Sequence, residues 1–258
     1  MSDLGPTSGR KETPNAPTNH LNGARDMPEV MNFFPLTVYA DRVEGHEAFR
    51  ERYAPIIKSW VPESRESEYA WTGDVNERGF LHLDESFRPL FDAFMPHLRG
   101  YLETLEVKVE NLELFCQRSW AVVTRKEQKV AMHNHAQSHI SLVYYLKKPE
   151  ASGGIRFTMK GSPNELAPNL FEACMGLEDE GEGTAFLRQW TPFNANHVDV
   201  DTEEGQMLIF PSKALHGTIQ SESEEERISI SADIVLMLKR NNNFEFLMPA
   251  FSNWKKIL

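Results

Sequence analysis

The chain is poor in the features that mark export, membrane insertion and disulfide-stabilised folds. Its 258 residues include only two cysteines, so a disulfide framework or a thiolate zinc site is not supported. No apolar run approaches the roughly 18 residues that span a bilayer, and the polar, proline-rich N-terminus lacks the apolar core of a signal peptide. These absences predict a cytoplasmic protein without membrane association.

Basic clusters are also missing. The formal net charge is -11, and lysine and arginine are scattered along the chain. Nucleic-acid grooves and polybasic membrane patches need grouped cations to neutralise phosphates, so we expect neither partner. A small molecule is the better expectation for a ligand.

What is present is enough apolar material for one sizeable core, with 40% hydrophobic residues. Residues 1–29 are rich in proline, glycine and small polar residues, and ordering them would cost entropy without burial in return. We therefore predict a flexible tail over 1–29 and a single folded domain over 30–258.

Helical spacing of apolar residues is confined to the first part of this domain. It predicts one helix from Glu47 to Trp60 and a second that starts near Asp84 or Ser86 and extends to Leu105, with a kink or break at Pro96. A first strand is predicted over Phe33–Tyr39.

Strand-like periodicity dominates the rest of the chain. The predicted strands cover Leu112–Phe115, Ser119–Thr124, Ile140–Leu146, Ile155–Met159, Gln206–Phe210 and Arg227–Leu238. Helices followed by many strands indicate an α+β, mainly β fold, with N-terminal helices packed on a sandwich or jelly roll. The long irregular segment at about 160–200 is typical of a lid-like insertion that contacts substrate.

Histidines at strand ends form the main candidate site. His133 and His135 are separated by one residue, which in a strand places both side chains on one face, and His216 ends another apolar run about eighty residues later. Neutral imidazole binds iron, copper, zinc and nickel, so the pattern predicts a metal site without choosing the metal. The alternative is that all three are ordinary polar residues at strand ends.

Arg227 adds a second kind of group. Its planar guanidinium suits the carboxylate of a bound acid, although it could instead pair with the nearby glutamates of the 222–226 run.

With these residues in place, the chain resembles the Fe(II)- and 2-oxoglutarate-dependent oxygenases of the prolyl-hydroxylase-like group, in a bacterial branch with an H-x-H motif. The resemblance covers about residues 115–238. Its motifs are His133-Asn134-His135, Tyr144-Tyr145-Leu146, Gly153-Gly154-Ile155-Arg156-Phe157, Gly205 with Phe210-Pro211-Ser212 and His216, and Arg227-Ile228-Ser229.

The resemblance implies a double-stranded β-helix, the cupin-like form of the jelly roll, with Fe(II) and 2-oxoglutarate as cofactors. By the same resemblance His133 and His216 are iron ligands and Arg227 binds the far carboxylate of 2-oxoglutarate, assisted by Tyr145 and Ser229. The implied reaction couples oxidative decarboxylation of 2-oxoglutarate, with O2, to hydroxylation or a related oxidation of a small-molecule substrate.

His135 departs from most enzymes of this group, which place Asp or Glu at this position. We predict it as the third metal ligand, with a role beside the ligands or a substrate contact as alternatives. The change removes one negative charge from the metal site.

Four further residues are candidates for substrate contact. His139 shares the inward parity of His133 and His135, and the inner wall of such a barrel is where substrate would bind. Trp190, Asn194 and His197 in the insertion could close over it. For each of the four, a structural role is the alternative.

Two other function classes remain open. A cupin-like metal dioxygenase that binds iron through three histidines and does not use 2-oxoglutarate would explain the H-x-H pattern. A non-catalytic jelly-roll binding module would explain the composition, but it leaves the His, Arg and Tyr set to chance. Arg227 and Gly153-Gly154 favour the 2-oxoglutarate enzyme. The oligomeric state stays open, with a homodimer as one alternative.

Overall fold

A computed structural model describes residues 32–63, 67–159, 161, 163–164, 166–167, 190–240 and 247–257. The chain divides into two units, Met1–Leu36 and Thr37–Leu258. The predicted tail over 1–29 and most of the predicted insertion lie outside the described residues. All elements named below belong to the second unit.

The described elements are two helices and nine strands. The helices are α1 (His46–Lys58) and α2 (Arg88–Thr104). The strands are β1 (Tyr39–Arg42), β2 (Trp71–Thr72), β3 (Leu112–Thr124), β4 (Ile140–Lys147), β5 (Ile155–Thr158), β6 (His197–Val200), β7 (Gln206–Pro211), β8 (Leu215–Thr218) and β9 (Arg227–Leu238).

Two antiparallel sheets form the core of the fold. The larger has the strand order β1-β7-β4-β9-β3-β2 and the smaller has the order β6-β5-β8. This arrangement is the predicted double-stranded β-helix, and the predicted mainly β class is confirmed. None of the helices in the described ranges has both the length and the apolar character that a membrane crossing requires.

Alternation along the strands gives the larger sheet two different faces. In β4, Leu142, Tyr144 and Leu146 are buried on the face that the helices cover, and apolar residues of β9 such as Ile230 join the same cluster. The intervening residues, among them Tyr145, point to the other face, towards the smaller sheet. Because the side-chain period is two, one face is a closed core and the other lines a cavity.

The helices cover the closed face. In α2, Leu90, Phe94, Leu98 and Tyr101 recur at helical spacing and are each buried. Asp84 caps the short 3₁₀ turn Glu85–Phe87 that leads into α2, where its Oδ1 accepts a hydrogen bond of 2.8 Å from the Ser86 backbone N–H. The N-cap residue of α2 itself is Phe87, which forms no side-chain cap, so the predicted cap lies one turn before the helix.

Two local predictions need correction. α2 does not break at Pro96; the carbonyl four residues back belongs to Asp92, and both residues are exposed, so water can satisfy the carbonyl that the proline leaves free. The first strand is Tyr39–Arg42, because β1 pairs with β7 in a register that starts at Tyr39 opposite Ile209. The predicted strand over Phe33–Tyr39 shares only its last residue with it.

Candidate metal centre

The three predicted metal ligands lie together. Their candidate ligand atoms are all within 4.8 Å of one another. The ring centroids of His133 and His135 are 4.9 Å apart, those of His133 and His216 4.5 Å, and those of His135 and His216 5.2 Å. Among the described residues, they are the group that could hold a metal ion.

Backbone pairing explains why residues eighty positions apart meet. His133 N–H donates to the His216 carbonyl at 2.8 Å, and His216 N–H donates back to the His133 carbonyl at 2.9 Å. His135 N–H donates to the Ser212 carbonyl at 3.0 Å. The segment before Ile140 is not a continuation of β4: the chain makes a bridge at His133 and then a turn at residues 136–137 before β4 begins.

Each imidazole has its Nδ1 next to an acceptor oxygen. His133 Nδ1 lies 2.7 Å from the Ala131 carbonyl and His216 Nδ1 lies 2.8 Å from the Ala214 carbonyl. His135 Nδ1 contacts Oδ1 of Asp233. An acceptor at Nδ1 fixes the proton on that nitrogen and leaves the Nε2 lone pair for a metal, as is usual for metal-ligating histidine.

Burial keeps two of these rings neutral. The pKa of His216 is lowered to about 4, chiefly by burial, while the Ala214 carbonyl opposes the shift and the neighbouring imidazoles of His133 and His135 add to it. Burial likewise lowers the pKa of His133. Neutral imidazole is the form that binds metal, so His133 and His216 are in their binding form at neutral pH.

Arg227 occupies the other part of the same cavity and is 1% exposed. Its Nη1 donates to the carbonyls of Ser152 and Gly153 at 2.8 and 2.9 Å, and its Nη2 donates to Thr124 Oγ1 at 3.1 Å. Its Nε has no hydrogen-bond partner among the described residues. Burial lowers the pKa of this guanidinium, which is the sign of a cation without a compensating anion.

The alternative prediction for Arg227, an ion pair with the glutamate run, is wrong. Glu224 pairs with Lys126, Glu225 with Lys147, and Glu226 with Lys58 and Arg125. In the described part of the chain, Arg227 forms no ion pair, because it points into the cavity while those carboxylates meet other cations.

Gly153 and Gly154 allow the backbone that contacts Arg227 to pass close to neighbouring backbone. Gly153 has a φ of +74°, and a Cβ there would lie 2.4 Å from the Ile219 carbonyl oxygen, while one on Gly154 would lie 2.3 Å from that of Val200. Only glycine permits this close passage, which presents the Gly153 carbonyl to Arg227.

The cavity between the sheets has a volume of about 430 Å³ and connects the three histidines with Arg227. Tyr145 and Ser229 both line it, on neighbouring strands where they are register partners. Tyr145 faces the cavity although a turn separates it from His135. Phe210 and Ile155 supply apolar wall.

The four predicted substrate residues are not among the described residues that line this cavity. His139 Nδ1 accepts a hydrogen bond of 2.9 Å from the Leu236 N–H. His197 begins β6, opposite Thr158, which corrects the irregular segment predicted for this end of the insertion. Asn194 Oδ1 accepts from the Thr191 N–H at 2.7 Å, and Trp190 is half-buried. Substrate contact by these residues stays a prediction.

Sequence reasoning missed Asp233 and Arg118, both of which line the cavity. Asp233 is 2% exposed and contacts His135, and Arg118 lies between Asp233 and the ring of Trp120. The signal was available: Asp233 is an acidic residue within an otherwise apolar stretch of β9, with the same parity as Arg227 and Ser229.

Fold and site together define a double-stranded β-helix protein whose cavity contains three clustered histidines that could hold a metal ion and a buried arginine. Residues 118–233 match the family described as "Putative 2OG-Fe(II) oxygenase". The matched segment begins in β3 and ends in β9, and it contains the three histidines and Arg227. The predicted resemblance is confirmed over this segment.

Solved structures similar to the chain are distant in sequence. An oxidoreductase of the 2OG-Fe(II) oxygenase family from Burkholderia pseudomallei is 13% identical, with 54% of this chain and 49% of that chain covered and a TM-score of 0.36. The chain thus spans about half of that protein.

Two further structures are covered over most of their length. A viral collagen prolyl hydroxylase from Paramecium Bursaria Chlorella virus-1 is 14% identical, with 76% and 95% covered and a TM-score of 0.43. A Pseudomonas putida prolyl-4-hydroxylase is 13% identical, with 77% and 92% covered and a TM-score of 0.46. No curated protein matched the chain.

Proposed function

We propose that the chain is an Fe(II)- and 2-oxoglutarate-dependent oxygenase that hydroxylates or otherwise oxidises a small-molecule substrate. One observation carries the proposal: the same cavity holds three imidazoles arranged for a metal and a buried guanidinium that lacks an anionic partner. The family match over 118–233 supports iron and 2-oxoglutarate as the groups that bind there.

The donor set suits Fe(II). Neutral imidazole is a common ligand for this ion, and the acceptors at the three Nδ1 atoms leave three Nε2 atoms for the metal. A site with three protein ligands leaves coordination positions for 2-oxoglutarate and O2. In this proposal His133, His135 and His216 are the metal ligands.

Arg227 suits the far carboxylate of 2-oxoglutarate. A fully buried cation is costly unless an anion compensates it, and a dicarboxylic acid that reaches from the metal to Arg227 would supply one. The guanidinium still has its unpartnered Nε, and the hydroxyls of Tyr145 and Ser229 line the same cavity. Guanidinium and hydroxyl donors would together hold the carboxylate.

When bound, iron and 2-oxoglutarate supply the oxidation: 2-oxoglutarate and O2 yield succinate and CO2, and the second oxygen atom enters a C–H bond of the substrate. The residues of the chain contribute orientation and shielding. Arg227 and the histidines would fix the two ends of the co-substrate, and walls such as Phe210 and Ile155 exclude water from the reacting atoms.

Anaerobic titration tests this function. The metal-free protein is loaded with Fe(II), 2-oxoglutarate is added, and the visible charge-transfer band of the chelate is recorded. We expect the band to appear and to saturate at one 2-oxoglutarate per chain. Folded protein that binds Fe(II) but gives no band would contradict the proposal.

One observation favours a second candidate, a three-histidine dioxygenase that does not use 2-oxoglutarate. All three grouped residues of the site are imidazoles, with no carboxylate among them. An iron spectrum that responds to a substrate but not to 2-oxoglutarate would favour this alternative, and Arg227 would then bind an acid group of the substrate itself.

A further inference from the structure

Asp233 is a buried carboxylate directly beside the three clustered histidines. Its side chain is 2% exposed, and its Oδ1 contacts Nδ1 of His135. The same Oδ1 accepts a hydrogen bond of 3.1 Å from the Ser141 hydroxyl. Oδ2 lies 3.3 Å from Nε and Nη2 of Arg118.

These contacts surround the Asp233 carboxylate with side-chain partners, His135 and Ser141 at Oδ1 and Arg118 at Oδ2. Isolated buried carboxylates are costly, so the donors around this one compensate for its burial. One of those donors is a predicted metal ligand.

Of the three clustered histidines, His135 is the one whose Nδ1 faces a charged partner. The Nδ1 atoms of His133 and His216 face backbone carbonyls, which are neutral acceptors. His135 is also the position at which the chain departs from the carboxylate of the family pattern. A carboxylate is therefore present near the metal after all, one imidazole further out.

We propose that Asp233 is the positioning carboxylate of the metal centre. It holds His135 with Nδ1 protonated and Nε2 directed at the metal, and it places beside the metal the negative charge that an aspartate at position 135 would have supplied directly. Carboxylates that accept from the second nitrogen of a metal-bound histidine fix the ring and make it a more basic ligand.

Arg118 links this pair to the cavity wall. Its guanidinium carbon lies 4.9 Å from the ring centroid of Trp120, and its side chain is about half exposed. Asp233 thus contacts both His135 and Arg118, a cation that lines the cavity. Without the Arg118 charge, His135 would be the remaining ionisable partner of the carboxylate.

The test is metal affinity, measured by calorimetry with Ni(II) on the full chain without 2-oxoglutarate. Asp233→Asn keeps the size of the side chain and removes its charge, and we expect roughly 10- to 100-fold weaker Ni(II) binding. Asp199→Asn is the matched control, because Asp199 pairs with Arg156 outside the cavity lining. The Ni(II) affinity of this variant should equal that of the unmodified protein. Unchanged affinity in folded Asp233→Asn would overturn the proposal.

A double-mutant cycle separates positioning from general support of the fold. If Asp233 acts through His135, Asp233→Asn should cost little further affinity in a His135→Ala background. An equal additional loss in both backgrounds would mean that Asp233 supports the sheet and does not act through the ligand. Arg118→Gln should tighten Ni(II) binding in the unmodified background and have a smaller effect beside Asp233→Asn.

Should Asp233→Asn fail to fold, the unmodified protein still gives an answer. In zinc-loaded chain with ¹⁵N-labelled histidine, we expect His135 to be protonated at Nδ1, with that proton at lower field than those of His133 and His216, because its acceptor is charged. Protonation of His135 at Nε2 would contradict the proposal.

This inference rests on the proposed metal site but not on 2-oxoglutarate, and the two fail separately. A protein that binds Ni(II) with the expected dependence on Asp233 but gives no 2-oxoglutarate band keeps the inference and loses the proposed co-substrate. A protein that gives the 2-oxoglutarate band but binds Ni(II) equally well after Asp233→Asn keeps the proposed co-substrate and loses the inference about Asp233.

Discussion

The two parts of the cavity differ in whether their buried polar and charged groups have partners within the protein. At the metal centre, three imidazoles each have an acceptor at Nδ1, and the buried carboxylate of Asp233 has donors around it. At the other part, the buried guanidinium of Arg227 donates to neutral oxygens and has no anion among the described residues.

This difference indicates which part of the site depends on a ligand for its charge balance. At the metal centre, the imidazoles and the Asp233 carboxylate already have hydrogen-bond partners within the protein. The arginine part retains a net cation in a low-dielectric environment, which becomes favourable when an acid binds. Metal affinity and acid affinity should therefore respond to different substitutions.

The largest effect should come from the metal ligands. His216→Ala removes one of three imidazoles, and we expect Ni(II) affinity to fall by roughly 100-fold or more, which is a larger loss than that expected for Asp233→Asn. The measurement is calorimetry on metal-free protein. His197→Ala, a histidine in β6 outside the cavity lining, is the control; an equal loss in both variants would contradict the assignment.

Next in size is the arginine part. Arg227→Met should weaken 2-oxoglutarate binding by about 2 kcal/mol or more, roughly 30-fold, because the far carboxylate would be buried without its cation. Ni(II) affinity should change little. The matched control is Arg156→Met, which removes an arginine whose partner is Asp199 outside the cavity. Equal losses of metal and 2-oxoglutarate would show that Arg227 supports the fold instead.

Acid should destabilise the metal-free protein through its buried histidines. The pKa of His216 is about 4 in the folded state and about 6.5 when unfolded, so between these values the unfolded chain holds a proton that the folded chain does not. The free energy of unfolding should therefore fall as pH drops from 6.5 towards 4, by about 1 to 2 kcal/mol at pH 5. Urea titrations of unmodified protein and His216→Gln compare the slopes; identical slopes would contradict burial as the cause.

The smallest effect concerns the hydroxyl donors. Ser229→Ala should weaken 2-oxoglutarate binding by about 1 kcal/mol, roughly fivefold, as expected for loss of one hydrogen bond. The measurement is the anaerobic titration of the Fe(II) protein with 2-oxoglutarate, followed by the charge-transfer band. Ser223→Ala, outside the cavity lining, is the control. No change on Ser229→Ala would mean that this hydroxyl does not contact the carboxylate.

Strand periodicity predicted the fold well where both faces of a strand are specified. β4, β7 and β9 lie where the apolar runs predicted them. In each strand, residues that face the helices alternate with residues that face the cavity, and this alternation is visible in the sequence. The segment before Ile140 escaped this reasoning. Its turn and its bridge to His216 depend on partners distant in sequence.

The candidate metal ligands and Arg227 could be named from motifs, but the residues that contact them could not. Asp233 is the clearest case: its position in an apolar strand marks it as unusual, yet its contact with His135 depends on how the loop before β4 folds onto β9. The ion pairs of the 222–226 glutamates with other cations likewise follow from tertiary pairing. Local patterns predict the ligands, and long-range packing decides their partners.

The most direct test of the two-part site compares 2-oxoglutarate with 2-oxobutyrate, which keeps the metal-chelating group but lacks the far carboxylate. Titration of both into the anaerobic Fe(II) protein should show much tighter binding of 2-oxoglutarate, and Arg227→Met should remove most of that preference. Equal affinity for the two acids in the unmodified protein, or a preference that survives Arg227→Met, would contradict a cavity with a metal at one part and a carboxylate-binding arginine at the other.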